Sequence, residues 1–219
     1  MPELVPNVNS IFQDTCPALS PDEHRLYFAS TRPGGCGGGD LYVARRHDRK
    51  DDFGWQAPEH LGCVVNSPAN DNCDNVFEDE SGTEVLYFGS DRPGGVGRRD
   101  IYASRMGADG TFGPPEPVAE LNTSYDDHCP AVRRDGLELI FMSDRPGGLG
   151  LADYWMATRA STKDPWSVPV NLTVLNSPAY DSGKMTFSFD GRQFYFYSNR
   201  PGGYGGYDVY VATREKLRQ

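Results

Sequence analysis

Short apolar runs punctuate the chain at regular intervals. "RLYFAS", "EVLYFGS", "LELIFMS" and "QFYFYS" are rich in aromatic and large aliphatic residues, as strands are. A tight-turn segment precedes each one ("SPDEH", "EDESG", "RRDG", "SFDG"). A loop dense in glycine and proline follows, leading into a second apolar run: "DLYVAR", "DIYASR", "DYWMATR" or "DVYVATR". The patterns are alternating or continuous, and none has the three-to-four spacing of a helix. Upstream, "CPALS", "CDNVF", "CPAVR" and "GKMTF" read as a further strand. "FGWQAPEHLG", "FGPPEPVAEL" and "DPWSVPVNL" read as another, outermost because its prolines forbid a central place in a sheet.

These pieces form a repeat. "STRPGGCGGGDLYVAR" returns as "SDRPGGVGRRDIYASR", "SDRPGGLGLADYWMATR" and "SNRPGGYGGYDVYVATR", with motif arginines at Arg32, Arg92, Arg145 and Arg200. The units run over about 9–65, 66–121, 122–175 and 176–214 within a single domain, 1–219. Repeated four-stranded units predict an all-β chain folded as a β-propeller, with four blades of four antiparallel strands. The last unit stops after its third strand. Pro2 stands before Asn9 as Pro115 stands before Asn122. Residues 2–8 are therefore expected to supply the outer strand of the last blade and close the ring.

In such a meander, the R-P-G-G loops and the loops joining successive blades share one face of the disc. Four arginines thereby meet Asp14, Asp71, Asp127 and Asp181, and the loops end on Asp40, Asp100, Asp153 and Asp208. Because every unit carries them, these residues read as structural staples, with a planar guanidinium suited to carbonyls and carboxylates. A phosphate cradle would need the glycines to open a helix, and here a strand follows. A calcium β-roll would need a shorter, consecutive repeat. Residues that differ between units on this face are the binding candidates: Arg98, Arg99, Tyr125, His128, Tyr180, Tyr204 and Tyr207. Cys36, Val96, Leu149 and Tyr204 occupy one corner in turn.

Five cysteines, at 16, 36, 63, 73 and 129, include no C-x-x-C, and their pairing is open. Cys16, Cys73 and Cys129 share one position near the propeller axis, where the fourth unit has Gly183. They are weak candidates for a soft-metal site and otherwise small buried residues.

The net charge of −10 argues against a nucleic-acid partner. No apolar run is long enough for a membrane span, and the first residues lack the features of a signal peptide. That leaves a cytoplasmic protein, or a periplasmic or secreted one whose signal lies outside this sequence.

The blocks N-[ST]…D…D-G…L-Y-F-x-S-[DN]-R-P-G-G-x-G-x-x-D-[IVL]-Y resemble the WD40-like propeller repeats of the TolB type. Such repeats also occur in outer-membrane lipoproteins ahead of an OmpA-like domain. The resemblance covers nearly the whole chain and implies an exported propeller used in protein or cell-envelope interactions. No serine- or metal-hydrolase motif is present. The first reading is therefore a monomeric, non-catalytic module that binds a protein or cell-envelope component through its R-P-G-G face, with no cofactor. A carbohydrate-active hydrolase or lyase using channel carboxylates is the alternative. A module binding calcium or zinc at an axial ring of cysteines and aspartates is the third.

Overall fold

A computed structural model describes residues 3–178 and 183–215. Among these residues there are strands and turns and no helix. Blade one holds β1 (Asp14–Leu19), β2 (Arg25–Ser30), β3 (Asp40–Arg45) and β4 (Glu59–His60). Blade two holds β5 (Asp71–Glu78), β6 (Glu84–Ser90), β7 (Asp100–Arg105) and β8 (Glu116–Pro117). Blade three holds β9 (Asp127–Val132), β10 (Glu138–Ser143), β11 (Asp153–Thr158) and β12 (Val170–Asn171). Blade four holds β13 (Thr186–Phe187), β14 (Gln193–Ser198) and β15 (Asp208–Thr213). Every sheet is an antiparallel meander in chain order, so the molecule is an all-β, four-bladed propeller. The proline-bearing outer strands pair over only two residues, as expected of edges that lack N–H donors.

The inner strands carry a shared irregularity. Pairing shifts register between Thr15 and Ala18, between Asn72 and Asn75, and opposite Ile140–Met142. At each shift a cysteine sits in the left-handed region: Cys16 (φ 56°), Cys73 (φ 52°) and Cys129 (φ 50°). Gly183 (φ 104°) takes the place in blade four. Each bulge re-aims its side chain at a cost in backbone strain, and so sets the cysteines toward one another.

Three seams are packed. Tyr27, Leu41 and Val43 of blade one meet Val76, Leu86 and Phe88 of blade two. Phe77, Tyr87 and Ile101 meet Leu139, Phe141, Trp155 and Trp166 of blade three. Ile140, Met142 and Tyr154 meet Met185, Phe194 and Phe196 of blade four.

The fourth seam departs from expectation. Among the described residues, no strand of blade four contacts β1–β4, and the last sheet has three strands. The N-terminal segment does not extend that sheet. Val5 and Val8 instead pack on Phe28, Tyr42, Ala44 and Trp55 of blade one. Elsewhere the linker asparagines grip the preceding blade: Asn66 bonds the N–H and C=O of Leu41 at 2.7 and 3.1 Å, and Asn122 those of Ile101 at 2.8 and 2.9 Å. Asn9 donates to Val5 O, 3.0 Å away in its own segment. The apolar flank of blade one lies next to these valines and captures them there, leaving β15 uncovered.

Candidate functional site

Each R-P-G-G arginine is tied into its own frame. In blade two, Arg92 donates to Ser90 Oγ (2.9 Å), Val65 O (2.8 Å) and Asp71 Oδ1 (2.7 Å), and lies over the rings of Phe88 and Tyr102. Arg32 and Arg145 repeat the set with Asp14 and Asp127. Arg200 repeats it with Ser198 and Leu175 O; its expected partner Asp181 lies outside the described residues. Burial by itself raises the Asp14 carboxyl, but hydrogen bonds from Ser30, Arg32 and Ser10 outweigh it and hold it at about 2. Asp40, Asp100, Asp153 and Asp208 accept backbone N–H groups of their own loops. A Cβ on Gly35, Gly95, Gly148 or Gly203 would collide with those carboxylates, so the second glycine of each loop makes room for the aspartate.

The unit-specific residues of this face divide into two groups. Arg99 makes a bidentate pair with Asp126, 2.7 Å through each nitrogen, and meets His128 Nε2 at 3.1 Å. Arg98 pairs with Asp144 at 2.6 Å. These five residues bind blade two to blade three. His128 is buried; desolvation, joined by repulsion from Arg99, lowers it to about 4 and keeps it neutral. Tyr125, Tyr204 and Tyr207 remain exposed. Tyr180 lies outside the described residues.

On the same face, Cys36 and Cys63 form a disulfide with Cα atoms 5.7 Å apart, a pairing the sequence left open.

At the axis, Cys16 Sγ and Cys73 Sγ lie 3.0 Å apart. Their mutual hydrogen bond, reinforced by burial, pushes the Cys16 thiol up. The hydrogen bond with Cys129 does most to push the Cys73 thiol up. In blade four, the Tyr197 hydroxyl fills the space a side chain at Gly183 would need. The next position carries a signal that the repeat contains and the sequence reading passed over. Blades one and three have Pro17 and Pro130, whereas blades two and four have Asp74 and Lys184. The Lys184 ammonium donates to the backbone carbonyl of Asp74. The Asp74 side chain is fully buried, and among the described residues neither of its oxygens has a hydrogen-bond partner. Burial raises its carboxyl to about 6 against the pull of Lys184.

A cleft of about 830 Å³ opens between blade four and blade one and reaches inward to Asn75 and Val76 of blade two and Val132 of blade three. Trp55, Phe187, Phe189 and Tyr195 line it, together with Arg134, Lys184, Glu23 and Asp52. Asn75, the neighbour of Asp74, forms part of its wall. The sequence reading missed this place because it arises from an unsealed seam rather than from a motif.

No family model matches the chain, and no curated protein matches it in sequence. Solved structures of similar fold do exist. A GH43_12 protein retrieved from a capybara gut metagenome gives a TM-score of 0.64 at 15% identity, covering 98% of this chain and 43% of its own. An α-L-arabinofuranosidase from Lactobacillus brevis gives 0.58 at 18%, covering 86% and 68%. TolB from Acinetobacter baumannii gives 0.56 at 16%, covering 92% and 41%. The chain thus spans about two fifths of the first and third and two thirds of the second. Most of the similar structures are sugar-cleaving enzymes by name, an arabinanase and a sialidase among them. The expected non-catalytic module, recognising its partner through the R-P-G-G face, therefore does not stand. The arginines chosen to recognise that partner are held by the protein's own carboxylates, and the propellers it resembles are mostly hydrolases.

Proposed function

We propose that the chain is a carbohydrate-active hydrolase acting in the cleft between blades four and one. The cleft carries this reading. Its volume suits a short saccharide, and its aromatic faces offer flat apolar platforms beside fixed charges. Glycoside hydrolysis needs one carboxyl that keeps its proton and one that is ionised. Glu23 and Asp52 stand on the cleft wall and are the proposed carboxyl pair.

Release of reducing ends from a panel of arabinans, xylans and sialylated glycans tests the proposal. Turnover is expected, falling about a hundredfold or more in Asp52→Asn and Glu23→Gln. A panel that stays inactive throughout overturns the reading.

Export belongs to the same proposal. The Cys36–Cys63 disulfide suits a periplasmic or secreted location, as does the resemblance of the repeats to the TolB type.

A further inference from the structure

The corner that holds Cys36 and Cys63 contains more than a disulfide. Cys36 Sγ, His60 Nε2 and a carboxylate oxygen of Asp40 lie within 4.8 Å of one another. His60 Nε2 is 3.4 Å from Asp40 Oδ1 and 3.9 Å from Cys36 Sγ. A tetrahedral zinc with usual bond lengths sets nitrogen–oxygen and nitrogen–sulfur edges of roughly 3.3 and 3.5 Å. The observed separations are already close to those edges. Cys63 Sγ, bonded to Cys36, is the natural fourth corner.

We propose that reduction of the Cys36–Cys63 disulfide turns this corner into a zinc site, with Cys36, Cys63, His60 and Asp40 as ligands. The set belongs to blade one alone. Cys36 stands where the other blades have Val96, Leu149 and Tyr204. His60 faces Tyr42 in the register where Pro117 faces Tyr102 and Asn171 faces Trp155. The linker that carries Cys63 is one residue longer than its counterparts. Leu61 bonds the preceding blade five positions before Asn66, whereas Val118 and Leu172 do so four positions before Asn122 and Asn176. Gly62, in the left-handed region (φ 83°), falls within that longer link and lets it bend toward Cys36.

The chemistry balances in both directions. A phosphine or dithiol gives two electrons to the S–S bond and is itself oxidised, and two protons complete the thiols. Zinc then takes both sulfurs as thiolates and releases those two protons to solvent. Hydrogen peroxide reverses the change: it removes two electrons from the thiolates, takes two protons from solvent to become two waters, re-forms the disulfide and expels the zinc. Coordination through Nε2 leaves the imidazole proton on Nδ1. The Gly62 N–H, now 3.1 Å from Nδ1, and the Asn66 side-chain amide, now 3.0 Å from Nε2, must then turn away. Gly62 has the conformational freedom to do so once the disulfide is open.

Zinc and cobalt(II) titrations of protein reduced with a phosphine test the site, read by bound-metal stoichiometry and by the thiolate-to-cobalt absorption band. One metal per reduced chain is expected, none in the oxidised chain, and full release by peroxide. His60→Ala and Cys63→Ala should each weaken binding at least about a hundredfold, the upper range for loss of a mere outer-shell partner. His60→Ala keeps its disulfide, so its folding can be verified in the oxidised state. Failure of the reduced wild type to bind metal overturns the proposal. So does retention of metal by both variants, which would assign the binding to the axial thiols.

Discussion

The seam between blades two and three and the one between blades four and one are built from the same repeat, yet one is sealed and the other is a cleft. At the sealed seam, Phe77, Leu139 and Phe141 are excluded from water, and Arg99, Asp126 and His128 tie the loop ends together. At the open seam, Tyr195, Val209 and Val211 remain exposed on blade four, and the N-terminal valines occupy the flank of blade one. Strand sequences of one type therefore serve two ends. What differs is whether a neighbouring blade is there to complete the core, and a hydrolase site is proposed where none is.

The largest contrast should come from the cores. Phe141→Ala removes a side chain with no exposure and should cost about 3–5 kcal/mol in urea unfolding. Tyr195→Ala, at the cleft, should cost under about 1 kcal/mol. Equal losses would mean that the open seam closes in solution.

The arginine staples give the next contrast. Arg92→Ala leaves buried Asp71 without its cation and frees the Val65 carbonyl in the link between blades one and two, a loss of about 3 kcal/mol. Arg32→Ala frees Val8, whose segment packs on blade one, and should cost less. Its signature should be faster proteolysis near residues 3–9 with the remaining seams intact. At the exposed end of the scale, Arg98→Ala should change stability by no more than about 0.5 kcal/mol.

The last contrast is a pH slope, in which the sealed seam and the axis oppose each other. The folded-state value of His128 lies below its ordinary one. Its contribution is therefore present above about 6.5 and declines as pH falls toward about 4. Asp74 is raised. Its contribution is present below its ordinary 3.8 and is lost as pH rises through about 6. Asp74→Asn should therefore steepen the loss of stability on acidification between about pH 6 and 4, and His128→Gln should flatten it. Thermal midpoints across that range check both.

Much of the architecture could be read directly from the repeat. The apolar runs, the proline-bearing outer strands and the glycine loops each state a local requirement, and four copies make them mutually consistent. The position of Asp74 was also legible, as a departure from Pro17 and Pro130, although its environment was not. The place of the N-terminal segment was not legible, because Val5 and Val8 fit the flank of blade one as well as they fit an outer-strand pattern. The Cys36–Cys63 pairing was not legible either, since five cysteines permit many combinations and only the longer link after Leu61 selects one.

By itself, the sequence determined the strands, the turns, the four-fold repeat and the residues that staple each loop. These depend on backbone conformation and on partners that recur at fixed spacing within each unit. Only the tertiary structure decided which seam stays open, which carboxyl is raised and which side chains converge on the Cys36 corner. Those properties depend on packing and desolvation by groups far apart in the chain, and four similar units give no local sign of which neighbour each will meet.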